Sequence, residues 1–180
     1  MEPIRIESPF DKNDFIKASK VRWIIHWKKN KKQLIQYWII SIIIYSLGLI
    51  LLTENEPSNP FVFIGIGFLV ATVWLTYIRI YSWISTNKKT KLIAEKFNEI
   101  KMDCVYELSE DSIKYWDKEK HLDFKWSVFT HYSIYKDYIV LILNNSLINS
   151  YLFDKNETDI DKYNQILELV KTKLNYKEIK

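Results

Sequence analysis

The sequence is poor in the residues that most chemistry needs. In 180 residues it has one cysteine, three glycines, four prolines and three histidines. With Cys104 alone, neither a disulfide within the chain nor a cysteine-based zinc site can form. A lone thiol fits a reducing compartment. Three glycines leave no Gly-rich loop to cradle a phosphate. His26, His121 and His131 stand at no metal-ligand spacing, and no serine sits in a nucleophile elbow. His121 and Asp123 share a strand face, where a solvated pair is the simplest reading. Asp154, Glu157, Asp159 and Asp161 are acidic enough to suggest calcium, but they lack the glycine and terminal glutamate of a calcium loop. A charged turn and helix cap accounts for them. The expectation is therefore a protein that is not an enzyme and carries no metal or cofactor.

Charge is also missing, but only in places. Residues 34–83 contain Glu54, Glu56 and Arg79 and no other Asp, Glu, Lys or Arg. The mean hydropathy of −0.17 averages this stretch with a highly charged remainder. Residues 1–100 hold 14 Lys+Arg against 8 Asp+Glu, a balance of +6, and residues 101–180 hold 12 against 14, a balance of −2. The C-terminal part has no arginine at all. A nucleic-acid module would carry its basic excess on the folded part, so no nucleic-acid partner is expected. A basic flank beside an apolar stretch instead suits anionic lipid.

Two apolar runs stand out. Residues 34–52 (LIQYWIISIIIYSLGLILL) contain no charge, and residues 61–83 (FVFIGIGFLVATVWLTYIRIYSW) contain only Arg79. At about 1.5 Å per residue each is long enough for a bilayer core of about 30 Å. The connection TENEPSNP is too short for anything but a tight antiparallel return. Asn59-Pro60 suits a cap followed by the first helical residue. Lys28, Lys29, Lys31 and Lys32 precede the first run, and Lys88, Lys89 and Lys91 follow the second. The positive-inside rule then predicts two spans in the cell (inner) membrane with both termini cytoplasmic. Tyr37 and Trp38, then Tyr77, Tyr81 and Trp83, mark the headgroup layer. Arg79 is expected to snorkel to the inner headgroups. Gly65-Ile66-Gly67 permits close helix packing, within the pair or in a homo-oligomer. No cleaved signal peptide is expected, because the first apolar run starts late and is too long for an h-region.

Residues 1–33 lead into the first run. Ile4 and Ile6 alternate with charged residues, as in a short strand. Asp11 or Asn13 can cap a helix, on which Ile16, Lys20, Trp23 and Trp27 share a face. Such a helix, with the lysines after it, can lie on the inner leaflet, pack on the C-terminal domain, or serve as a basic flank only.

After about Ile100 the apolar period changes from 3.6 to 2. Cys104, Tyr106 and Leu108 alternate. So do Ile113 and Tyr115, then Leu122, Phe124 and Trp126, then Tyr132 and Ile134. Ile139, Leu141 and Leu143 follow, then Leu147, Tyr151 and Phe153. Charged or Asn-rich breaks separate six short antiparallel strands. A helix follows, with the stripe Ile160, Tyr163, Leu167, Val170 and Leu174 and a capping box at Thr158 and Asp161. The predicted class is α+β: a transmembrane helical hairpin over residues 34–100, and over residues 101–180 a small antiparallel sheet or barrel capped by a helix. The strand at Ile4–Ile6 can complete that sheet, with the helical hairpin inserted after it.

Three pieces of sequence carry a family resemblance. Residues 14–18 (DFIKA) precede a basic stretch and two spans. Residues 106–113 read YELSEDSI. Lys125-Trp126-Ser127 is followed by residues 136–141, KDYIVL. In these the chain resembles the YcxB-like membrane proteins, whose C-terminal part is similar to a bacterial pleckstrin-homology-like (PH-like) domain. The family commonly places a proline and a basic residue before the last helix. Residues 149–154 (NSYLFD) keep only the aromatic Phe153. The resemblance implies an architecture and not an activity.

The expected function is a membrane-anchored, PH-like binding or scaffolding module for a protein or peptide partner at the inner leaflet. Tyr115, Trp116, Trp126 and Tyr132 are the candidate contacts, with ordinary core packing as their alternative role. Trp23, Trp27, Lys28, Lys29, Lys31, Lys32, Trp38, Arg79 and Trp83 are the candidate membrane-interface residues. The other function considered is a membrane-active effector, or an immunity-type protein, whose hairpin oligomerises or blocks a partner in the membrane.

Overall fold

The structure is a computed structural model that describes residues 2–50, 60–144 and 146–179. The fold is α+β. Strand β1 (Ile4–Ser8) is followed by two long helices, α1 (Lys12–Ile50) and α2 (Pro60–Glu99). Six strands then run in succession: β2 (Cys104–Leu108), β3 (Ser112–Trp116), β4 (His121–Lys125), β5 (Phe129–Tyr135), β6 (Tyr138–Leu143) and β7 (Ser146–Asp154). Helix α3 (Ile160–Lys173) closes the order. By packing the chain forms two units, Met1–His26 with Lys89–Lys180, and Trp27–Lys88.

In the first unit the strands make two antiparallel sheets, β1-β2-β3-β4 and β5-β6-β7. Strand β1 pairs along its whole length with β2, Ile4 opposite Leu108 and Ile6 opposite Tyr106. The residues from Lys12 to Glu99 are thus inserted between two hydrogen-bonded neighbours. The inward faces of both sheets meet in one core. Ile4, Ile6, Leu108, Ile113, Ile139 and Leu141 fill it, and Tyr163, Ile166, Leu169 and Val170 of α3 cover it.

The caps follow the chemistry of helix ends. Asp11 caps α1, its Oδ1 accepting from the backbone N–H groups of Asn13 at 2.7 Å and Asp14 at 3.0 Å. Pro60 opens α2, where a missing N–H costs nothing; Asn59 and the rest of 51–59 lie outside the described residues. Asp159, and not Thr158, caps α3, accepting from Asp161 N at 2.9 Å. The α3 stripe is also rotated from the expected one. Ile160 is 61% exposed, and Ile166 and Leu169 are buried in its place.

In the second unit, α1 and α2 pair antiparallel through small and hydroxyl side chains. Trp38 Nε1 donates to Thr76 Oγ1 at 3.3 Å, and Ser41 Oγ and Thr72 Oγ1 are 2.8 Å apart. The hydroxyls of Ser41, Thr72 and Thr76 also lie within hydrogen-bond distance of the carbonyls one turn back, on Tyr37, Phe68 and Thr72, and one of Ser41 and Thr72 can donate its proton to the other instead. At Gly65 an added Cβ would stand 2.6 Å from the Tyr45 Cα, whereas at Gly67 it would meet nothing within 4 Å. Gly65→Ala must therefore push backbone against backbone, an overpacking cost of about 1–3 kcal/mol, set against a helix-propensity gain of up to about 1 kcal/mol. Gly67→Ala keeps only the gain. Thermal melting of the detergent-solubilised chain is expected to show a lower midpoint for Gly65→Ala and an unchanged or raised one for Gly67→Ala.

Candidate functional site

Strand β6 reads Tyr-Ile-Val-Leu-Ile-Leu, and its first five residues are buried. Alternation sends Ile139 and Leu141 into the core between the sheets. It sends Tyr138, Val140 and Ile142 to the opposite face, which also needs cover. Helix α1 supplies it: Val21 and Ile25, one turn apart, pack on those three residues, with Tyr135, Leu152 and Ile179 at the border. Arg22 fixes the helix further by donating from Nε to the Ser150 carbonyl at 3.1 Å. Its guanidinium is pulled below its usual pKa by burial.

One turn before Val21, Lys17 forms the electrostatic centre of this seam. Its Nζ lies 2.8 Å from Asp154 Oδ2 and 5.6 Å from the centroid of the Tyr138 ring. The Asp154 side chain is 1% exposed and that of Lys17 is 49% exposed. Asp154 Oδ1 also accepts from the backbone N and the Nδ2 of Asn156, at 2.9 and 3.0 Å. Burial pushes the Asp154 carboxyl up, but the bonds from Lys17 and Asn156 outweigh it and hold the group below its usual pKa. The Asp154 carboxylate in turn raises Lys17. Burial pushes the Tyr138 phenol up to about 12, and its enclosed hydroxyl faces Asp154 and Lys17. Nearby, Glu157 is exposed at the turn, and partial desolvation followed by the charges of Asp14 and Asp154 pushes its carboxyl up to about 7.

The same unit is tied at a second level. Phe10, Phe15 and Phe97 form a ring triad with centroids 5.7–5.9 Å apart. Ser19 Oγ and Thr90 Oγ1 are 3.2 Å apart, and Lys12 pairs with Glu95 at 3.2 Å. Cys104 is half-buried, with its thiol pushed up by burial, which makes it a poor nucleophile.

The four candidate contact residues do not form one patch. Trp126 and Tyr132 are core residues, 7% and 6% exposed, and the Trp126 indole donates to the Ser109 carbonyl at 3.0 Å. Tyr115 and Trp116 sit together on β3 and are half-buried. Tyr115 donates to Asp117 and packs on Tyr106 at 5.1 Å. Trp116 lies under the Arg5 guanidinium at 5.7 Å and beside His121 at 5.9 Å.

The membrane-interface candidates all lie on α1 and α2. Trp23, Trp27, Trp38 and Arg79 are half-buried, and Lys28, Lys31, Lys32 and Trp83 are exposed. Lys31 stands 5.5 Å over the Trp27 ring. The side chain of Lys29 lies outside the described residues. Two stretches, Lys31–Ile50 and Val62–Glu99, are long and apolar enough to cross a membrane, and only 11% of the most apolar window of each is buried. On α2, Trp74, Tyr77 and Tyr81 stack in sequence with exposures of 56–62%.

The sequence pointed to Ile16, Lys20, Trp23 and Trp27 as the shared face of this helix, with packing on the C-terminal domain as one of its three possible roles; the residues that make that packing are Lys17, Val21 and Ile25. The signal that could have found them is the unbroken apolar run of β6. Such a run is a strand buried on both faces, so a second cover had to exist. Compared with known proteins, the chain matches no family model, no curated protein and no solved structure.

Proposed function

We propose that the chain is a membrane-anchored binding module without enzymatic activity, built as a transmembrane hairpin carrying a PH-like domain of the YcxB-like kind. It sits in the cell inner membrane with both termini cytoplasmic and docks a protein or peptide partner at the inner leaflet. The observation that carries this reading is the pair of apolar helices inserted between the paired strands β1 and β2. Their outward residues, including Ile42, Ile43, Leu47, Phe63, Val70 and Val73, are 50–67% exposed. In water that surface is a continuous apolar patch far larger than a monomer tolerates; in lipid it is solvated. The hydroxyls between the helices bond to each other and to carbonyls, which supports an anchor over a pore lining. Gly67, open on its outer side, leaves room for a second copy to approach.

The topology is tested with single cysteines in a Cys104→Ser background. In intact cells a membrane-impermeant maleimide is expected to label Ser58→Cys, in the short connection. Ser127→Cys, exposed in the domain, is expected to react only after lysis. The opposite pattern, or release of the chain from membranes by alkaline carbonate, sinks the reading.

A further inference from the structure

Strand β5 is an edge of the three-stranded sheet, yet its outer side is not bare. The residues after α3 turn onto it. Leu174 leaves the helix in an extended conformation. Tyr132 N then donates to the Asn175 carbonyl at 3.1 Å, and Lys177 N donates to the Tyr132 carbonyl at 2.9 Å. This makes a parallel bridge between Tyr132 and Tyr176. Ser133 Oγ donates to the Lys177 carbonyl. The Tyr176 ring sits 5.5 Å from that of Tyr132 and is 54% exposed. Three residues on, Ile179 reaches the apolar cluster of Tyr138, Val140 and Ile142 beneath Val21 and Ile25.

Two features mark this contact as exchangeable. Every other strand pairing described is antiparallel and several residues long, whereas this one is parallel and rests on one residue of a seven-residue strand. Neither of its two side-chain anchors, an aromatic and an aliphatic three positions later, is fully buried: Tyr176 is 54% exposed and Ile179 is half-buried.

We propose that the β5 edge, with the β6–α1 seam beside it, is a strand-accepting site for an extended peptide of a partner protein, and that residues 175–179 fill it in cis until displaced. This rests on the reading of the chain as a binding module and names its partner class. The tail is the template for the ligand: an aromatic residue over Tyr132 and, three positions later, an aliphatic residue in the Val21/Ile25/Val140 cluster, entering parallel to β5. A partner that pairs with more of β5 than this single bridge does gains by it, which is how an added strand obtains affinity. Because Ile179 is part of the cover over Val21 and Ile25, exchange of the tail also alters the packing that holds α1 to the sheet.

The test uses the full chain and a chain ending at Leu174, both in detergent micelles, with a fluorescent synthetic peptide LNYKEIK. The shortened chain is expected to bind the peptide. The full chain is expected to bind it at least about tenfold more weakly, since a tethered segment competes at an effective concentration of order mM. A peptide with alanine at the tyrosine and isoleucine positions is expected to bind neither. If the shortened chain does not melt cooperatively, the full-length Tyr176→Ala/Ile179→Ala variant takes its place. Equal binding to the full chain and to the opened one overturns the proposal, as does no binding to an opened chain that melts cooperatively. A photocrosslinker placed at Ile134 on β5 or at Trp116 on β3, in intact cells, separates this inference from the broader reading. A partner captured from Trp116 but not from Ile134 leaves the binding module standing and removes the β5 site. Capture from neither position removes both.

Discussion

A chain cut down to residues 101–180 is expected not to unfold cooperatively, although it holds six of the seven strands among the described residues and α3. It loses β1, and with it Ile4 and Ile6 from the core and the partner of β2. It also loses Val21 and Ile25, so the outer face of β6 is opened to water. Burying an Ile or Val side chain contributes about 1.5–3 kcal/mol, and four such residues are removed here. The summed loss, about 6–12 kcal/mol, is as large as most of a native stability of about 5–15 kcal/mol. Circular dichroism melting and amide proton dispersion are the measurements. A sharp melt for 101–180, matching that of the full chain, would show that the segment before α2 is only a tether. A finer version uses neighbours on α1. Ile25→Ala, at a side chain 1% exposed, is expected to cost about 2–5 kcal/mol. Ile24→Ala, at one 39% exposed, is expected to cost no more than about 0.5 kcal/mol.

Lys17→Ala is the second large effect. It leaves Asp154, with a side chain 1% exposed, without its cation. Breaking a buried pair from one side costs about 3–5 kcal/mol. Here Lys17 is half in solvent, so water can reach the gap, and about 1–3 kcal/mol is the expected loss. Adding Asp154→Asn should restore part of it, because the stranded charge is then gone.

The pH dependence carries the sign of both carboxylates. Asp154 is held below its unfolded value, so its contribution is full above about pH 4–5 and is lost as pH falls through the folded pKa. Glu157 is the opposite case, raised to about 7. Between its unfolded pKa of about 4.3 and that value the folded chain binds the extra proton, so stability falls as pH rises through the window. The thermal midpoint is therefore expected to be highest at about pH 4–5 and to decline from there toward pH 7. Glu157→Gln should flatten the decline toward pH 8, and Lys17→Ala should make the loss below pH 4 shallower. A midpoint that still falls between pH 6 and 8 in Glu157→Gln would assign the titration to another group.

How much of this was legible depended on whether one face or two was buried. Cys104, Tyr106 and Leu108 alternate in the sequence because only one side of β2 must be apolar, and the strand lies where the alternation put it. The insertion of the helical pair after β1 was legible for the same reason, through Ile4 and Ile6. Helix α3 was legible as an element but not in its rotation. It carries more apolar residues than one stripe holds, and packing against the core chose Ile166 and Leu169 over Ile160. The buried state of Trp126 and Tyr132 was open in the same sense, since an aromatic residue suits a core and a contact surface equally; Trp126, expected to continue the strand of Leu122 and Phe124, instead opens the short 3-10 turn Trp126–Val128 between β4 and β5.

Composition and period alone therefore determined that this chain has two helices long and apolar enough to cross a membrane, a strand before them, and a run of short strands and a helix after them. Those features are written residue by residue, because a bilayer-length run or a period of 2 needs no knowledge of what packs against it. Only the tertiary structure decided that the strands divide into two sheets, that β1 pairs with β2, that Lys17, Val21 and Ile25 are the working face of α1, and that residues 175–179 lie along β5. Each of those is a meeting of segments far apart in the chain. Which of several apolar faces meets which is settled by the fit of all of them at once.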